Sequence, residues 1–527
     1  MATSTSRTTA TTTALRASPS GIESWDSLRA RSLATPVGSA LEEDAALRAS
    51  GRGEAHVSNR LRLFDAEDGT VPRITLYRDV AGWCPYCQKT VMLLEEKGVP
   101  CIIETVPMRS YGDKPREFMN MVPSGLLPAM IVDGRNVVTE SQVIMEMIEE
   151  MYPPENGYPA MLPPREDAAG WDTYRKLARM ERELFSWWCT LLFRPEGPPI
   201  PGAGLFERIL GGGTKSGGGD GTQSPAMRGF TGCLDEFDAA LRATPGPWLT
   251  ALSPDRPAMI DLIFVSHVER MLASCAYWKG LVVRGTGRWP GIDAWMNAFD
   301  ERPSYRGFRS DFYTNVMDIP PQYGPGYFGG DGEAQKKFAG MIDGKDGKSW
   351  HLPLSPETLL EPLRAGPPLP PCALAAAGVT DVANPDPAAL DRASRHAAAW
   401  KLTSNGPAIS AFAARGASGG ARNPRKTFAA PLADPYAEAD PEALSAVDAA
   451  VRAVCGALLE EDTGGDRPAA LKGLGEEVRV KVSAGGKGGD VAKSLMYVRE
   501  RIGVPRDMPL AAARQLRAHL NWAIDRL

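Results

Sequence analysis

The stretch that most constrains the fold of this chain is a Cys-Pro-Tyr-Cys motif at residues 84–87. Before it, residues 74–78 alternate between apolar and polar side chains as a β-strand does; after it, residues 90–96 have helical periodicity. The proline suits the first position of a helix, where no N–H donor is needed. The order strand, short loop, dithiol, helix therefore predicts Cys84 at an exposed helix start, with Cys87 on the same helix face.

This position favours redox or thiol-transfer chemistry at the cysteine pair. The free N–H groups and the dipole at a helix start stabilise a thiolate, which is the reactive form of cysteine. Cys84 is the predicted nucleophile, and Cys87 either resolves a mixed disulfide or is a bystander. The alternative is a structural pair or half of a zinc site. Zinc needs more ligands, and the sequence has no second Cys-x-x-Cys and no paired histidines, so we predict no metal site.

Length and composition restrict the other possibilities. A chain of 527 residues suggests several domains, and its formal net charge of −5 gives no indication of a nucleic acid or acidic membrane surface as partner. No apolar run reaches the roughly 18 residues of a transmembrane helix, so no membrane span is expected. The remaining cysteines are widely spaced, which favours a reducing compartment over a secreted disulfide framework.

The N-terminal segment has the composition of an organelle address. Residues 1–22 contain no Asp or Glu, are dense in Ser, Thr and Ala, and carry Arg7 and Arg16. A plain disordered terminus is the alternative. We predict a chloroplast transit peptide, with a mitochondrial or cytoplasmic location as the other options, and a disordered leader that continues to residue 68.

Residues 69–155 have the pattern of one α/β domain. A second strand is predicted at residues 102–106, and a polar helix follows near residues 114–121. Asp133-Gly134 is a hairpin turn signal between two further short strands, and Glu140-Ser141 precedes an apolar-periodic helix.

This block, from Ile74 to Tyr152, resembles the thioredoxin-fold half of a glutathione transferase. The resemblance is carried by three motifs: Cys84-Pro85-Tyr86-Cys87, Pro123-Ser124-Gly125-Leu126-Leu127-Pro128 and Thr139-Glu140-Ser141. It implies a cis bond before Pro128 and main-chain pairing of Leu127 with the cysteinyl part of glutathione. It also implies that Glu140 and Ser141 hold the γ-glutamyl end. Pro85 and Tyr86 are expected to shape the same groove.

The rest of the chain is predicted to be mostly helical. Residues 156–324 resemble the all-α C-terminal domain of the same family, interrupted by a glycine-rich insertion near residues 197–225. That insertion has no preceding strand and lacks Walker spacing, so we interpret it as flexible. A linker is predicted at residues 325–384. A mostly helical extension of unknown role follows at residues 385–527, with one alternating strand at residues 477–482.

The predicted architecture is therefore a thioredoxin-like domain, an all-α transferase domain and a helical extension. Such an extension behind a cysteine-type transferase is similar to the iota class of photosynthetic organisms. The resemblance implies a glutathione-dependent thiol transferase or oxidoreductase, with glutathione as cosubstrate, a small-molecule or protein disulfide as second substrate, and a possible homodimer. One alternative is a non-catalytic ligand-binding or assembly module whose extension docks a partner. Another is a thioredoxin-like reductase that needs Cys87 and no glutathione.

Overall fold

The computed structural model describes residues 22–195, 224–354, 369–381, 384–419, 432, 434–460 and 488–527. The predicted chloroplast address, nearly all of the glycine-rich insertion and the strand predicted at residues 477–482 lie outside this part of the chain.

A five-stranded mixed sheet forms the centre of the N-terminal half. Its strands are β1 (Leu61–Arg62), β2 (Ile74–Asp79), β3 (Cys101–Val106), β4 (Ala129–Val132) and β5 (Asn136–Thr139). The helices up to the end of this region are α1 (Trp25–Ala34), α2 (Pro36–Ala49), α3 (Pro85–Lys97), α4 (Arg116–Met121) and α5 (Ser141–Met151). The strand order is β1-β3-β2-β4-β5, with β2 and β3 parallel and the other pairs antiparallel. From β2 to α5 this is a thioredoxin-like fold, as predicted.

Two local signals set the limits of these elements. Gly98 ends α3 in the left-handed conformation at φ 66°, which a residue without Cβ adopts at little cost. Asp133 and Gly134 both have positive φ, 51° and 68°, and turn β4 into β5 as the Asp-Gly signal predicted.

The next region is all helical, as predicted. Its helices are α6 (Ala168–Phe193), α7 (Pro225–Arg242), α8 (Met259–Lys279), α9 (Pro290–Asp300), α10 (Pro303–Arg306), α11 (Phe312–Asp318) and α12 (Pro320–Tyr323). Helix α8 is buried along nearly its whole length and packs against α3, α6 and α11. It therefore joins the helical region to the helix that follows Cys84.

The C-terminal part is mostly helical. Its helices are α13 (Gly332–Asp343), α14 (Pro371–Ala376), α15 (Pro387–Ser404), α16 (Gly406–Ala413), α17 (Leu444–Leu458), α18 (Gly488–Arg499) and α19 (Leu510–Ile524). None of the helices in the described ranges combines the length and the apolarity that crossing a bilayer requires.

The predicted linker at residues 325–384 contains two helices, α13 and α14, and this corrects the sequence interpretation. Asp331 caps α13 by accepting hydrogen bonds from the N–H groups of Glu333 and Ala334, at 3.1 and 3.0 Å. The helix then packs on α8, and the nearby Trp350 is buried. Packing against a distant element stabilises a segment whose glycine content alone favours a linker.

The predicted disordered leader is also corrected, because α1, α2 and β1 are ordered elements. β1 pairs with β3, and α1 and α2 pack on α15. Leu28, Val37 and Leu41 are buried in the same apolar cluster as the C-terminal extension. The indole N–H of Trp25 donates to Asp448 Oδ1 at 2.8 Å. The first described helices and the extension thus share one core.

Candidate active site

Cys84 is the residue immediately before α3, where the sequence predicted it. It is half-buried, and Pro85 occupies the first helical position. No side chain in the described ranges caps this helix start. The N–H groups of the first turn therefore remain available to stabilise a thiolate on Cys84.

Cys87 lies one turn further and has a different environment. It is only 1% exposed. Its sulfur, the Cys84 sulfur and a carboxylate oxygen of Asp79 lie within 4.8 Å of one another. Burial, followed by a hydrogen bond with Cys84, raises the pKa of the Cys87 thiol well above its ordinary value. Cys87 is therefore a neutral thiol that can donate a hydrogen bond to a Cys84 thiolate.

Asp79, Cys84 and Cys87 form the one group of possible metal ligands found in the described residues. A soft metal ion would need both sulfurs as thiolates. Burial of Cys87 opposes that ionisation. These three residues therefore fit a cysteine pair with one neutral thiol better than a three-ligand metal site.

The predicted cis bond is present between Leu127 and Pro128. The carbonyl oxygen of Leu127 lies 4.0 Å from the Cys84 sulfur. The neighbouring Leu126 is 60% exposed, so this turn is open to solvent on one side. The main chain before Pro128 therefore borders the same space as the candidate nucleophile.

The sheet register brings the Glu140-Ser141 motif to the edge of the sheet where Pro128 lies. Ala129, which follows Pro128, pairs with Tyr77 of β2 and with Thr139 of β5. Since Glu140 follows Thr139, the two predicted ligand-binding turns leave neighbouring strands at one end of the sheet. Glu140 is exposed and has a φ of 67°, a strained conformation for a residue with a side chain. No side chain in the described residues caps α5, which begins at Ser141.

A buried polar network holds the loop before Cys84 against α8. Arg270 donates hydrogen bonds to the carbonyl of Trp83 and to Gln88 Oε1, the latter at 2.5 Å. Gln88 Nε2 donates to Glu269 Oε2 at 2.9 Å. On the sheet side, the Trp83 N–H donates to Asp79 Oδ2 at 2.7 Å. The loop is thus fixed from both sides, which pre-organises the position of Cys84.

The Tyr86 side chain packs against the helical region, which favours a structural role for it over a chemical one. Its ring lies 5.4 Å from the ring of His267, centroid to centroid. His267 Nδ1 is 2.6 Å from Glu181 Oε1, and burial lowers the pKa of this histidine. Burial opposes ionisation of Glu181, but hydrogen bonds with His267 and Arg182 lower its pKa to about 2. His267 is therefore a neutral structural residue that holds Glu181 and packs on Tyr86.

Two lysines surround the dithiol closely enough for their charges to interact with it. Burial lowers the pKa of Lys89 to about 8, while the negative charges of Glu181 and a Cys84 thiolate act in the opposite direction. Lys114 Nζ donates to the carbonyl of Pro107 at 2.8 Å and also interacts electrostatically with both cysteines. Two cationic side chains therefore lie near the dithiol.

Asp79, Gln88 and Arg270 are residues of the site that sequence reasoning missed. Asp79 had a signal, since it is an acidic residue that ends a buried strand five positions before a reactive cysteine. Gln88 lies within the first turn of α3 and has no local feature that distinguishes it. Arg270 lies 186 positions beyond Cys84 in the sequence, so only the packing of α8 on α3 reveals it.

Comparison with known proteins agrees with this geometry. Residues 83–151 match the model of the glutathione S-transferase N-terminal domain. The chain is 37% identical over 75 residues to glutathione S-transferase DHAR2 of Arabidopsis thaliana, covering 14% of this chain and 33% of that protein. It is 35% identical over 89 residues to the chloroplastic DHAR3 of the same plant, covering 17% and 32%. It is 30% identical over 102 residues to glutathione S-transferase omega-1 of Mus musculus, covering 19% and 41%. These matches span between about a third and two fifths of the relatives' length.

Proposed function

We propose that this chain, in which residues 83–151 match the glutathione S-transferase N-terminal domain, is a glutathione-dependent thiol oxidoreductase that works through Cys84. The observation that carries the proposal is the position of Cys84 at the start of α3, 4.0 Å from the Leu127 carbonyl before the cis Pro128. A nucleophile and a main-chain edge that suits a peptide-like ligand border the same space.

The proposed reaction has two displacement steps. The Cys84 thiolate attacks the glutathionyl sulfur of a mixed disulfide, the S–S bond breaks, and the substrate sulfur leaves and takes a proton. The thiolate of a second glutathione then attacks the glutathionyl sulfur on Cys84. Oxidised glutathione leaves, and the Cys84 thiolate is regenerated. Each step exchanges one disulfide for another, so no other oxidant or reductant is needed.

The contacts of glutathione in this proposal follow from the turns at the sheet edge. The main chain of Leu127 pairs with the cysteinyl part of glutathione. The N–H groups at the start of α5, with Ser141 and Glu140, hold the γ-glutamyl end, whose carboxylate suits a helix N-terminus. Pro85 and Tyr86 form the wall of the groove beside Cys84.

The test is the mass of the intact protein after incubation with oxidised glutathione. We expect one glutathionyl adduct, and peptide mapping should place it on Cys84. The Cys84→Ser variant should lose this adduct and the exchange of glutathione with a small mixed disulfide. Full exchange activity in Cys84→Ser would refute the mechanism. An unreactive wild-type Cys84 would instead favour a non-catalytic ligand-binding module.

The proposed location is the chloroplast. Its support is the acid-free, Ser- and Thr-rich composition of residues 1–22, together with the similarity to a chloroplastic relative. A fluorescent protein fused behind residues 1–24 should enter chloroplasts. A uniform cytosolic signal would contradict this location and leave the proposed chemistry unaffected.

A further inference from the structure

A cavity lies far from Cys84 in sequence, where the extension meets the loop after β3. Its volume is about 680 Å³. Helices α15, α16, α18 and α19 and the segment after α18 contribute to its wall, and Tyr111 contributes from the thioredoxin-like domain. This volume falls within the range of about 300 to 1,000 Å³ that is typical of pockets for small organic ligands.

One part of the cavity wall is apolar. The apolar residues that line it include five from three helices and the segment between two of them: Ile409, Phe412, Val498, Met508 and Leu516. Such a surface gains free energy by covering a hydrocarbon or aromatic body, because both lose contact with water.

The other part of the wall carries an excess of positive charge. The described lining residues include four cations, Lys401, Arg415, Arg501 and Arg506, against two acids, Asp434 and Asp507. Arg506 is neutralised by Asp507, with which it makes hydrogen bonds of 3.0 and 2.7 Å. The remaining cations outnumber the remaining acid by two, although the whole chain has a formal net charge of −5.

Two of these cations are held in place by aromatic rings. The guanidinium of Arg501 lies 3.6 Å from the ring centroid of Tyr497 and donates to the Tyr497 carbonyl at 3.2 Å. The guanidinium of Arg415 lies 5.1 Å from the ring centroid of Phe412 and also interacts with the Tyr497 side chain. Neither forms an ion pair within the described ranges. Ring contacts leave N–H groups in the guanidinium plane free to bind an anion.

We propose that this cavity binds an amphipathic organic anion, such as a carboxylate or sulfonate on an apolar body. The apolar body packs on Ile409, Phe412 and Met508. The acidic group lies between Lys401, Arg415 and Arg501. This site is separate from the glutathione site and does not depend on the reactivity of Cys84.

The test uses the fluorescent probe 1-anilinonaphthalene-8-sulfonate on the full chain, with S-hexylglutathione at saturation to occupy the transferase cleft. We expect one probe molecule to bind with its fluorescence enhanced. The uncharged analogue N-phenyl-1-naphthylamine should bind at least tenfold more weakly. Equal affinity for the two probes, or displacement of the anionic probe by S-hexylglutathione, would overturn the proposal.

Two variants locate the probe. Ala408→Trp fills the cavity from α16 and should weaken probe binding at least tenfold, while Ser445→Trp adds the same side chain to an exposed position of α17 outside the cavity. The double variant Arg415→Gln/Arg501→Gln should also weaken binding at least tenfold, with Lys493→Gln as the charge control. Unchanged affinity in both cavity variants would refute the site. Because the double variant adds no bulk, it decides the question if Ala408→Trp does not fold.

Discussion

At the scale of single residues, the two cysteines of one motif differ because their surroundings differ. Cys84 is half-buried at a helix start with lysines nearby, whereas Cys87 is buried beside Asp79 with its pKa raised. A thiol that ionises with difficulty attacks a disulfide slowly, since the thiolate is the nucleophile. In the proposed reaction, this asymmetry favours glutathione over Cys87 as the group that would release the glutathionyl adduct from Cys84.

The first prediction follows from this asymmetry. Cys87→Ser should keep glutathione-dependent exchange within about threefold of the wild type, because a hydroxyl can still donate a hydrogen bond to Cys84. Cys87→Ala removes that donor and should lower the rate further. The measurement is turnover of a small glutathione mixed disulfide at varied glutathione concentration. Complete loss of turnover in Cys87→Ser would show instead that an intramolecular disulfide is required.

A second prediction concerns Asp318, which accepts a hydrogen bond from the Tyr111 hydroxyl at 2.7 Å. Burial raises the pKa of Asp318 to about 7. Between its ordinary pKa of about 4 and this value, the folded protein holds a proton that the unfolded chain has lost. Folding stability contributed by this carboxyl therefore falls as the pH rises through that window.

Asp318→Asn should remove this dependence. From pH 5 to pH 8 the wild type should lose about 2 to 3 kcal/mol relative to the variant, measured by urea unfolding at each pH. Asp68→Asn, at an exposed acid, is the control for losing one carboxyl. Parallel pH profiles for the wild type and Asp318→Asn would contradict the prediction.

Sequence reasoning located the residues whose positions are set by local motifs. Cys84, Pro85, Leu127, Pro128, Glu140 and Ser141 lie in short motifs at element ends, and the structure brings the three motifs to one edge of the sheet. Arg270 and Glu269 act across an interface between helices. No periodicity or spacing in the sequence connects them to the loop at Trp83.

At the scale of elements, the position of the reactive loop depends on α8 packing against α3. Arg270 is buried, lies 3.7 Å from Glu269 between their charged atoms, and stacks 5.4 Å from the ring centroid of Trp83. Glu269 also accepts a hydrogen bond from the Ser310 N–H at 2.8 Å. One charged pair thus links α8, the loop before α3 and the segment before α11.

Removing the arginine should therefore affect both stability and activity. Arg270→Gln leaves the Glu269 charge buried without its partner, and we expect a loss of about 3 to 5 kcal/mol in the free energy of unfolding. Exchange activity of the folded fraction should fall because the Trp83 carbonyl loses its donor. Arg135→Gln, at an exposed position, should stay within about 0.5 kcal/mol of the wild type. A loss below 1 kcal/mol in Arg270→Gln would show that the pair is not a structural link.

The elements predicted from sequence are those with strong local patterns. The strands β2 and β3 begin and end within about a residue of the predicted limits, and β4 and β5 lie on either side of the predicted Asp133-Gly134 turn. Helix α1 was missed because its local signal is weak, and α13 was missed because the glycines and aspartates around it suggested a linker. In α1 only Leu28 and Ser32 are buried, so its sequence shows no clear apolar face. Their stability comes from packing partners that a local pattern does not contain.

At the scale of the whole molecule, the first described helices pack against the C-terminal extension. The N-terminal helices α1 and α2 share an apolar cluster with α15, α17 and α19. Arg452 donates to the carbonyls of Ile22 and Glu23, at 3.4 and 2.6 Å. The thioredoxin-like domain and the helical region that follows it lie between these two segments in sequence. The extension is therefore completed by residues from the start of the described chain.

Because α1 shares a core with the extension, a single substitution in α1 should strongly lower the free energy of unfolding. Leu28 is 0% exposed within the shared cluster, and Leu28→Ala should destabilise the protein by about 2 to 5 kcal/mol. Leu47→Ala, at a leucine of α2 that is 53% exposed, should cost less than about 1 kcal/mol. Thermal and urea unfolding measure both. Similar values for the two variants would show that α1 does not share the core.

The shared core also affects the order in which segments can pack during synthesis on the ribosome. Helix α1 is synthesised first, yet Asp448, which accepts the Trp25 N–H, emerges 423 residues later. Domains generally fold as they are made, so the sheet and its helical partner are complete while α1 and α2 still await their core. Over that interval Leu28, Val37 and Leu41 are exposed, and they are the surface on which we expect a chaperone to act.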